Sequence, residues 1–319
     1  MLSLFADDIT TLMQIKRNQG LKVDYLVSLY SEFETYCFNH SPSSSILTQK
    51  LVEEWVFNQN KSNSKRQLYK RVLSMRHLGR HQLSIGKDAF VIKHKVKIPK
   101  PNAPQLLDDS QLTELFVNLD NIKPMRNLPN AEIILPVMLR LIYCCGLRIS
   151  EAVNLKVTDV DLDNQTISIL KSKGHKNRKL YIHSDVADLL NRYHVYFNSI
   201  NSKREYFFHS TKKNGSINPR HIRLAFNSAL KSISTLDENQ KRPTIHGLRH
   251  LFAVNSMRKC IENEKEDFNC WIKYLSKYMG HSTSSETMQY LHIVSDLFPS
   301  YKSKLDSLTE GFGVLYVEE

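Results

Sequence analysis

Cysteine is scarce in this 319-residue chain, and the little there is forms no pattern. The five cysteines are an odd number, two of them are adjacent (Cys144, Cys145), and none belongs to a CxxC. That argues against a disulfide framework and against a zinc site, and fits a reduced, cytoplasmic compartment. Long apolar runs are also missing. The longest, such as Ile133–Leu139, reach about seven residues, whereas a membrane span needs about 20. The first residues lack the basic-then-apolar order of a secretory signal. Ten glycines and ten prolines exclude collagen-like or linker-like sequence. No internal repeat is visible.

What the chain does have is positive charge. It carries 44 Lys and Arg against 32 Asp and Glu, a net +12. Residues 61–100 hold 12 of the basic residues and one acid, Asp88, so this stretch is +11 and the other 279 residues sum to +1. A basic segment this concentrated suits a polyanion, most simply nucleic acid. An anionic membrane surface or a merely solvated stretch would also accommodate it.

Hydrophobic spacing gives the outline. Residues 1–20 are mixed and read as loosely ordered. Leu26, Leu29, Tyr30, Phe33 and Cys37 recur at helical spacing, the run 41–45 (SPSSS) breaks it, and Leu51–Val56 mark a second short helix. Leu68, Val72 and Met75 mark a third, whose other positions are largely basic: Lys65, Arg66, Lys70, Arg71, Arg76 and Arg80 are the candidate DNA-binding residues. Three prolines in Ile98–Leu107 forbid helix continuation and make that stretch the linker. It divides the chain into a basic helical domain, 1–104, and a second domain, 105–319. In the second, helices are expected near 112–119, 131–145, 185–197, 219–233, 247–258 and 271–279. Strands are expected at Thr166–Leu170 and Lys179–Ile182, around a polar hairpin tip, 171–178. Thr283 and Glu286 form a T-x-x-E capping box, starting a helix with Tyr290 on its second turn. The fold class expected is mainly α with a small antiparallel β-sheet.

Four segments of the second domain carry residues suited to chemistry. Arg148, in GLRISE, follows a very apolar helix. Lys173 lies beside Gly174 on the hairpin tip. His246 and Arg249, in HGLRH, share a helical face at i and i+3, while His250 is expected to point elsewhere, as a core or buttressing residue. His281 stands nine residues before Tyr290. Each is weak alone. In the order R…K…HxxR…H…Y they resemble the tyrosine recombinases, the phage integrase family, over roughly 105–300. The 25-residue step from Arg148 to Lys173 is similar to that family's. Two features depart from it: Cys145 replaces the small hydroxyl residue often found before GLR, and the 32 residues from Arg249 to His281 are long, the extra chain being placed in the polar stretch Lys259–Cys270.

The resemblance implies site-specific DNA strand exchange through a 3′-phosphotyrosyl link to Tyr290, with no ATP, metal or other cofactor. It implies a C-shaped clamp on double-stranded DNA, a core-binding domain opposite a catalytic one, and a homo-tetramer on paired sites. It is compatible with accessory DNA-bending proteins, a nucleoid-associated location and no membrane. No separate arm-binding domain is expected ahead of residue 20. The chemistry suits the residues independently: two arginines can meet charge on a phosphate's non-bridging oxygens, and a lysine or histidine can move protons. No cluster of acidic ligands accompanies them, as two-metal chemistry would need. The apolar patch in Gly311–Glu319 is expected to dock on a neighbouring subunit or on its own domain. Two rivals stay open: a DNA-binding protein of this fold without catalysis, and a type IB topoisomerase or telomere resolvase.

Overall fold

The computed structural model describes residues 3–21, 23–40, 42–57, 64–97, 104–170, 177–210, 215–236, 241–263, 267–281, 283 and 285–297. Most of the proline-rich linker, the hairpin tip with Lys173, and the C-terminal segment fall outside them. Two compact units result, residues 1–102 and 103–319. Among the described residues no helix is long and apolar enough to cross a membrane.

Among the described residues the first unit contains four helices, α1 (Ala6–Asn18), α2 (Asp24–His40), α3 (Gln49–Phe57) and α4 (Lys65–Ser84). The first of these corrects the reading of residues 1–20 as loosely ordered. Phe5, Ile9, Leu12 and Met13 follow the helical period and are buried, so the segment is part of the core. Phe33 sits at the centre, with the rings of Phe5 and Trp55 5.2 and 5.3 Å away. The Tyr30 hydroxyl donates to the Ser74 carbonyl at 2.9 Å, tying α2 to α4 without leaving a buried polar group unpaired.

The second unit is built around α6 (Ala131–Cys145), which is buried on nearly every side. Against it pack α5 (Asp109–Asp120), α8 (Ser184–Ile200) and α10 (Ile245–Glu262). Pro219 occupies the first turn of α9 (Pro219–Lys231), where its missing N–H costs nothing. Of the polar stretch Lys259–Cys270, the first four residues lengthen α10 and the last three open α11 (Phe268–Met279). The last of the described helices is α12 (Ser285–Leu297), whose Glu286 N–H bonds the Thr283 carbonyl. A second cluster of apolar residues joins α10, α11 and α12, with Met257, Leu275, Met279 and Val294 at its heart.

The sheet is small and antiparallel, with strand order β1 (Val160–Asp161), β2 (Thr166–Ile169), β3 (Arg178–Tyr181). Ile167 lies opposite Leu180, and Ile169 opposite Arg178. The expected hairpin is present, with one shift: Arg178 belongs to the strand, not the tip. It lies two residues from the fully buried Leu180, hence on the same face, and its side chain is buried with it. Three elements had no clear signal: the one-turn helix α7 (Ile149–Val153), β1, and the hairpin of β4 (His209–Ser210) with β5 (Gly215–Ser216).

Candidate active site

The site begins where α6 stops. Gly146 closes the helix in the left-handed region, at φ 58°, and a Cβ there would lie 2.5 Å from the Phe252 ring. Glycine meets both demands. The next turn places Arg148 at the N-terminus of α7. Glu151, three residues on, accepts from the Arg148 backbone N–H and from its Nη1, both at 2.9 Å.

The end of α11 supplies the rest of the frame. The last carbonyls of a helix have no partner within it and carry partial negative charge. Here three successive carbonyls each take one arginine. Tyr278 accepts from Arg178 Nε at 2.7 Å, Met279 from Arg249 Nη2 at 2.7 Å, and Gly280 from Arg148 Nη2 at 3.1 Å. Gly280 is left-handed too, at φ 67°, and a Cβ would press on the Arg178 guanidinium. Arg249 also donates to the Gly146 carbonyl at 2.6 Å, so it bridges the ends of α6 and α11 from α10.

Glu151 is the carboxylate at the centre. Arg178 grips it with two parallel bonds of 2.9 Å, and Arg249 Nη1 stands 3.9 Å away. Burial pushes its carboxyl up, but the hydrogen bonds and charge of Arg178, then those of Arg148, outweigh this and hold it at about 2. Three guanidiniums therefore surround one carboxylate, a local formal charge of +2. Burial, then Arg148, brings Arg249 down to about 10, so it stays charged at neutral pH. A fixed surplus of two positive charges can receive a phosphodiester, and the planar donors suit its non-bridging oxygens.

The remaining groups lie alongside. The Tyr290 ring on α12 is 1% exposed and runs nearly parallel to the His281 ring, with centroids 6.0 Å apart. Burial raises its hydroxyl above the ordinary range, against the opposing pull of Arg249 and Arg148. His281 is buried, with Nδ1 2.7 Å from the Thr287 hydroxyl, and burial, then Arg249 and Arg148, lowers it to about 3. His246 lies at the start of α10 with part of its surface in solvent, and partial desolvation of its ring, then Arg249 and Arg148, lowers it. Cys145 is buried beside Tyr278, and burial pushes its thiol up to about 12.

Five of the six expected catalytic residues thus come together: Arg148, His246, Arg249, His281 and Tyr290. Lys173, the sixth, lies outside the described residues. Three groups of the site were not expected from the sequence. Glu151 and Arg178 frame the arginines. His250, expected to point elsewhere, has Nδ1 3.0 Å from the Tyr290 hydroxyl. Its spacing from His246, i to i+4, is the signal that could have found it. Among the described residues no group of three or more His, Cys, Asp or Glu could hold a metal ion.

The candidate DNA-binding residues divide. Lys65, Arg66, Lys70 and Arg80 are exposed on α4. Arg71 lies over the Trp55 ring and pairs with Glu32 at 3.4 Å. Arg76 donates to the carbonyls of Ile92 and His94, holding the extended segment after α4.

With this geometry in place, similarity to other proteins becomes informative. The "Probable integrase/recombinase protein" of Methanocaldococcus jannaschii is 31% identical over 159 residues, covering 49% of this chain and 44% of that one. A "Tyrosine recombinase" of Pseudothermotoga lettingae is 31% identical over 158 residues, covering 50% and 49%. The chain thus spans about half the length of these relatives. A lambda integrase (residues 75–356) dimer bound to a COC′ core site matches in fold, with a TM-score of 0.62 at 15% identity over 89% of this chain and 94% of that one. The model of the phage integrase family matches residues 105–296, from four residues ahead of α5 to within one residue of the end of α12, and on that ground the chain belongs to the phage integrase family.

Proposed function

We propose that this chain is a site-specific recombinase that cuts and rejoins double-stranded DNA, with Tyr290 as nucleophile. The observation that carries the reading is the arginine frame on the end of α11, one side chain away from the buried Tyr290 hydroxyl. Attack on a phosphodiester puts added charge on its non-bridging oxygens. Arg148 and Arg249 are already fixed by carbonyls and Glu151, so they meet that charge without first reorganising. With Nδ1 occupied by Thr287, His281 has Nε2 to offer the same oxygens. Lys173 donates a proton to the leaving 5′ oxygen, and His246 exchanges protons at the rim. The product is a 3′-phosphotyrosyl link that conserves bond energy, so rejoining needs no ATP.

In this reading the amino-terminal unit clamps the duplex through phosphate contacts from Lys65, Arg66, Lys70 and Arg80, while Arg71 and Arg76 hold the clamp's own shape. Four copies act on two paired sites, with or without DNA-bending partners, in the cytoplasm at the nucleoid. Likeness to an integrase bound to a core site supports the choice of DNA as partner.

Trapping tests the reading. DNA covalently held by the full-length protein is recovered and sequenced, and a nicked suicide duplex bearing that site is then used as probe. The wild-type protein is expected to form a denaturation-resistant adduct in EDTA as well as in magnesium. Tyr290→Phe is expected to lose the adduct and keep DNA binding. An adduct on another tyrosine, or one that requires metal, rejects the assignment.

A further inference from the structure

We propose that His250 is the base that takes the proton from Tyr290 during attack, an inference that rests on the recombinase reading above. The contact at the phenolic oxygen carries it. The Tyr290 hydroxyl lies 3.0 Å from His250 Nδ1, with the ring centroids 5.4 Å apart. Arg249 directs its guanidinium to the Gly146 and Met279 carbonyls, and a guanidinium only donates. With the ring hydrogen on Nε2, His250 Nδ1 accepts the phenolic hydrogen.

The other described groups around Tyr290 are unsuited to the task. The hydroxyl is buried, so bulk water does not receive the proton. Arg148 and Arg249 are cations without an acceptor. The His281 ring lies parallel to the Tyr290 ring, and its Nδ1 is engaged by Thr287. His246 is in edge contact with His250, at 4.4 Å between ring centroids, and stands on the solvent side of it. Among the described residues His250 is the neutral acceptor in reach of the nucleophile's own oxygen.

The step balances. The Tyr290 oxygen forms a bond to phosphorus as its O–H bond breaks, and the proton passes to His250 Nδ1, making an imidazolium. The bond from phosphorus to the 5′ oxygen breaks, and that oxygen is protonated by the general acid. On rejoining, the imidazolium returns its proton to the phenolate. Burial, then His246 and Arg249, lowers His250 to about 4 without DNA, so it enters the reaction neutral and able to accept. An arriving phosphate offsets the positive charge of Arg249 and Arg148 and so favours the imidazolium as it forms.

The test changes the acidity of the nucleophile. Single-turnover adduct formation is measured on the suicide duplex described above, with tyrosine or a fluorinated tyrosine at position 290. A fluorinated phenol is more acidic and needs less help from a base. With ordinary tyrosine, His250→Gln is expected to slow adduct formation roughly 10²-fold, at the lower end for general base catalysis, with DNA affinity unchanged. With the fluorinated residue the same substitution is expected to cost at least tenfold less. His250→Asn serves as the second variant if Gln disturbs the packing. An equal loss with both phenols means that His250 only packs against Tyr290, and overturns the proposal. So does full activity in His250→Gln. A wild-type protein that forms no adduct rejects the recombinase reading and this one with it, whereas a wild-type adduct indifferent to His250 rejects this one alone.

Discussion

The arginines of the two units are held in contrasting ways. In the carboxy-terminal unit Arg148, Arg178 and Arg249 are each fastened to a helix-end carbonyl and gathered around one carboxylate. On α4 of the amino-terminal unit, Lys65, Arg66, Lys70 and Arg80 project from an exposed face. A cation that must meet charge appearing in a transition state gains from being fixed beforehand, because no reorganisation is then needed. A cation that only neutralises a phosphate gains little from being fixed, since its contribution comes from released counterions. In the proposed function, cationic side chains thus serve geometry in one unit and charge in the other.

The comparison sharpens most at the reacting phosphate, where the largest effects are expected. Lys173→Ala should slow cleavage by roughly 10²–10⁴-fold, the usual range for a general acid. Sulphur at the bridging 5′ position leaves without a proton, so it should restore that variant almost fully. Arg249→Ala should lose about 10²–10³-fold, and sulphur should not restore it, because the non-bridging charge remains. Arg249→Lys should not restore activity either. An ammonium is a point charge and cannot span the Gly146 and Met279 carbonyls while facing a phosphate. Recovery with lysine would mean that this position needs charge and not geometry. Single-turnover cleavage of matched oxygen and sulphur duplexes separates these outcomes.

Acid should separate the units next. Glu151 is held near 2, below the ordinary 4.5, so its ionised form favours the folded state. That contribution is complete above about pH 5 and disappears as pH falls towards 2, and it amounts to about 3 kcal/mol. His250 and His281 are lowered to about 4 and about 3, so folding favours their neutral forms. Their contribution is complete above pH 6.5 and is lost as pH falls through the range below it. The amino-terminal unit shares the histidine part, through His77, which burial, then Lys16 and Arg80, lowers to about 4. It has no counterpart of Glu151 among its shifted groups. Denaturant unfolding of Glu151→Gln should show a loss of up to about 3 kcal/mol at pH 7 that shrinks towards wild type near pH 3. A loss constant with pH would mean that Glu151 contributes by packing and not by charge.

How much of this could be read beforehand follows from what makes each feature. Hydrophobic spacing marked α2, α3, α4 and α5, overall apolar character marked α6, and Pro219 helped to mark α9. The same period runs through α1, at Phe5, Ile9 and Leu12, but the polar residues between them masked it and the segment read as loosely ordered. The hairpin β4–β5 and the one-turn helix α7 are too short to show a period. The order of Arg148, Lys173, His246, Arg249, His281 and Tyr290 outlined the site, since each residue type suits phosphate chemistry. Arg178 was hidden because a charged residue at a hairpin reads as solvated, and only alternation with Leu180 hints that it points inward. Glu151 was in view within GLRISE, yet nothing in the sequence says that three arginines will meet on it. That meeting depends on the α11 carbonyls, which are backbone groups and have no residue code.

The smallest expected effects test the exposed side of the comparison. Each phosphate contact on duplex DNA contributes about 0.9 to the slope of log affinity against log salt. If all four exposed α4 cations touch the backbone, replacing Lys65, Arg66, Lys70 and Arg80 together with Gln should flatten that slope by roughly 3 to 4. Arg71→Gln and Arg76→Gln should behave differently, because their guanidiniums are engaged with Trp55 and Glu32, and with the Ile92 and His94 carbonyls. Each should leave the slope nearly unchanged and lower the stability of the unit by about 1 kcal/mol, the scale of an exposed ion pair or a cation–π contact. Salt titrations of binding to one duplex, beside thermal melts of each variant, read both quantities. A flattened slope in Arg71→Gln would show that the guanidinium leaves Trp55 for the DNA. An unchanged slope in the fourfold variant would remove α4 from the interface, and with it the contrast between cations that are fixed and cations that are not.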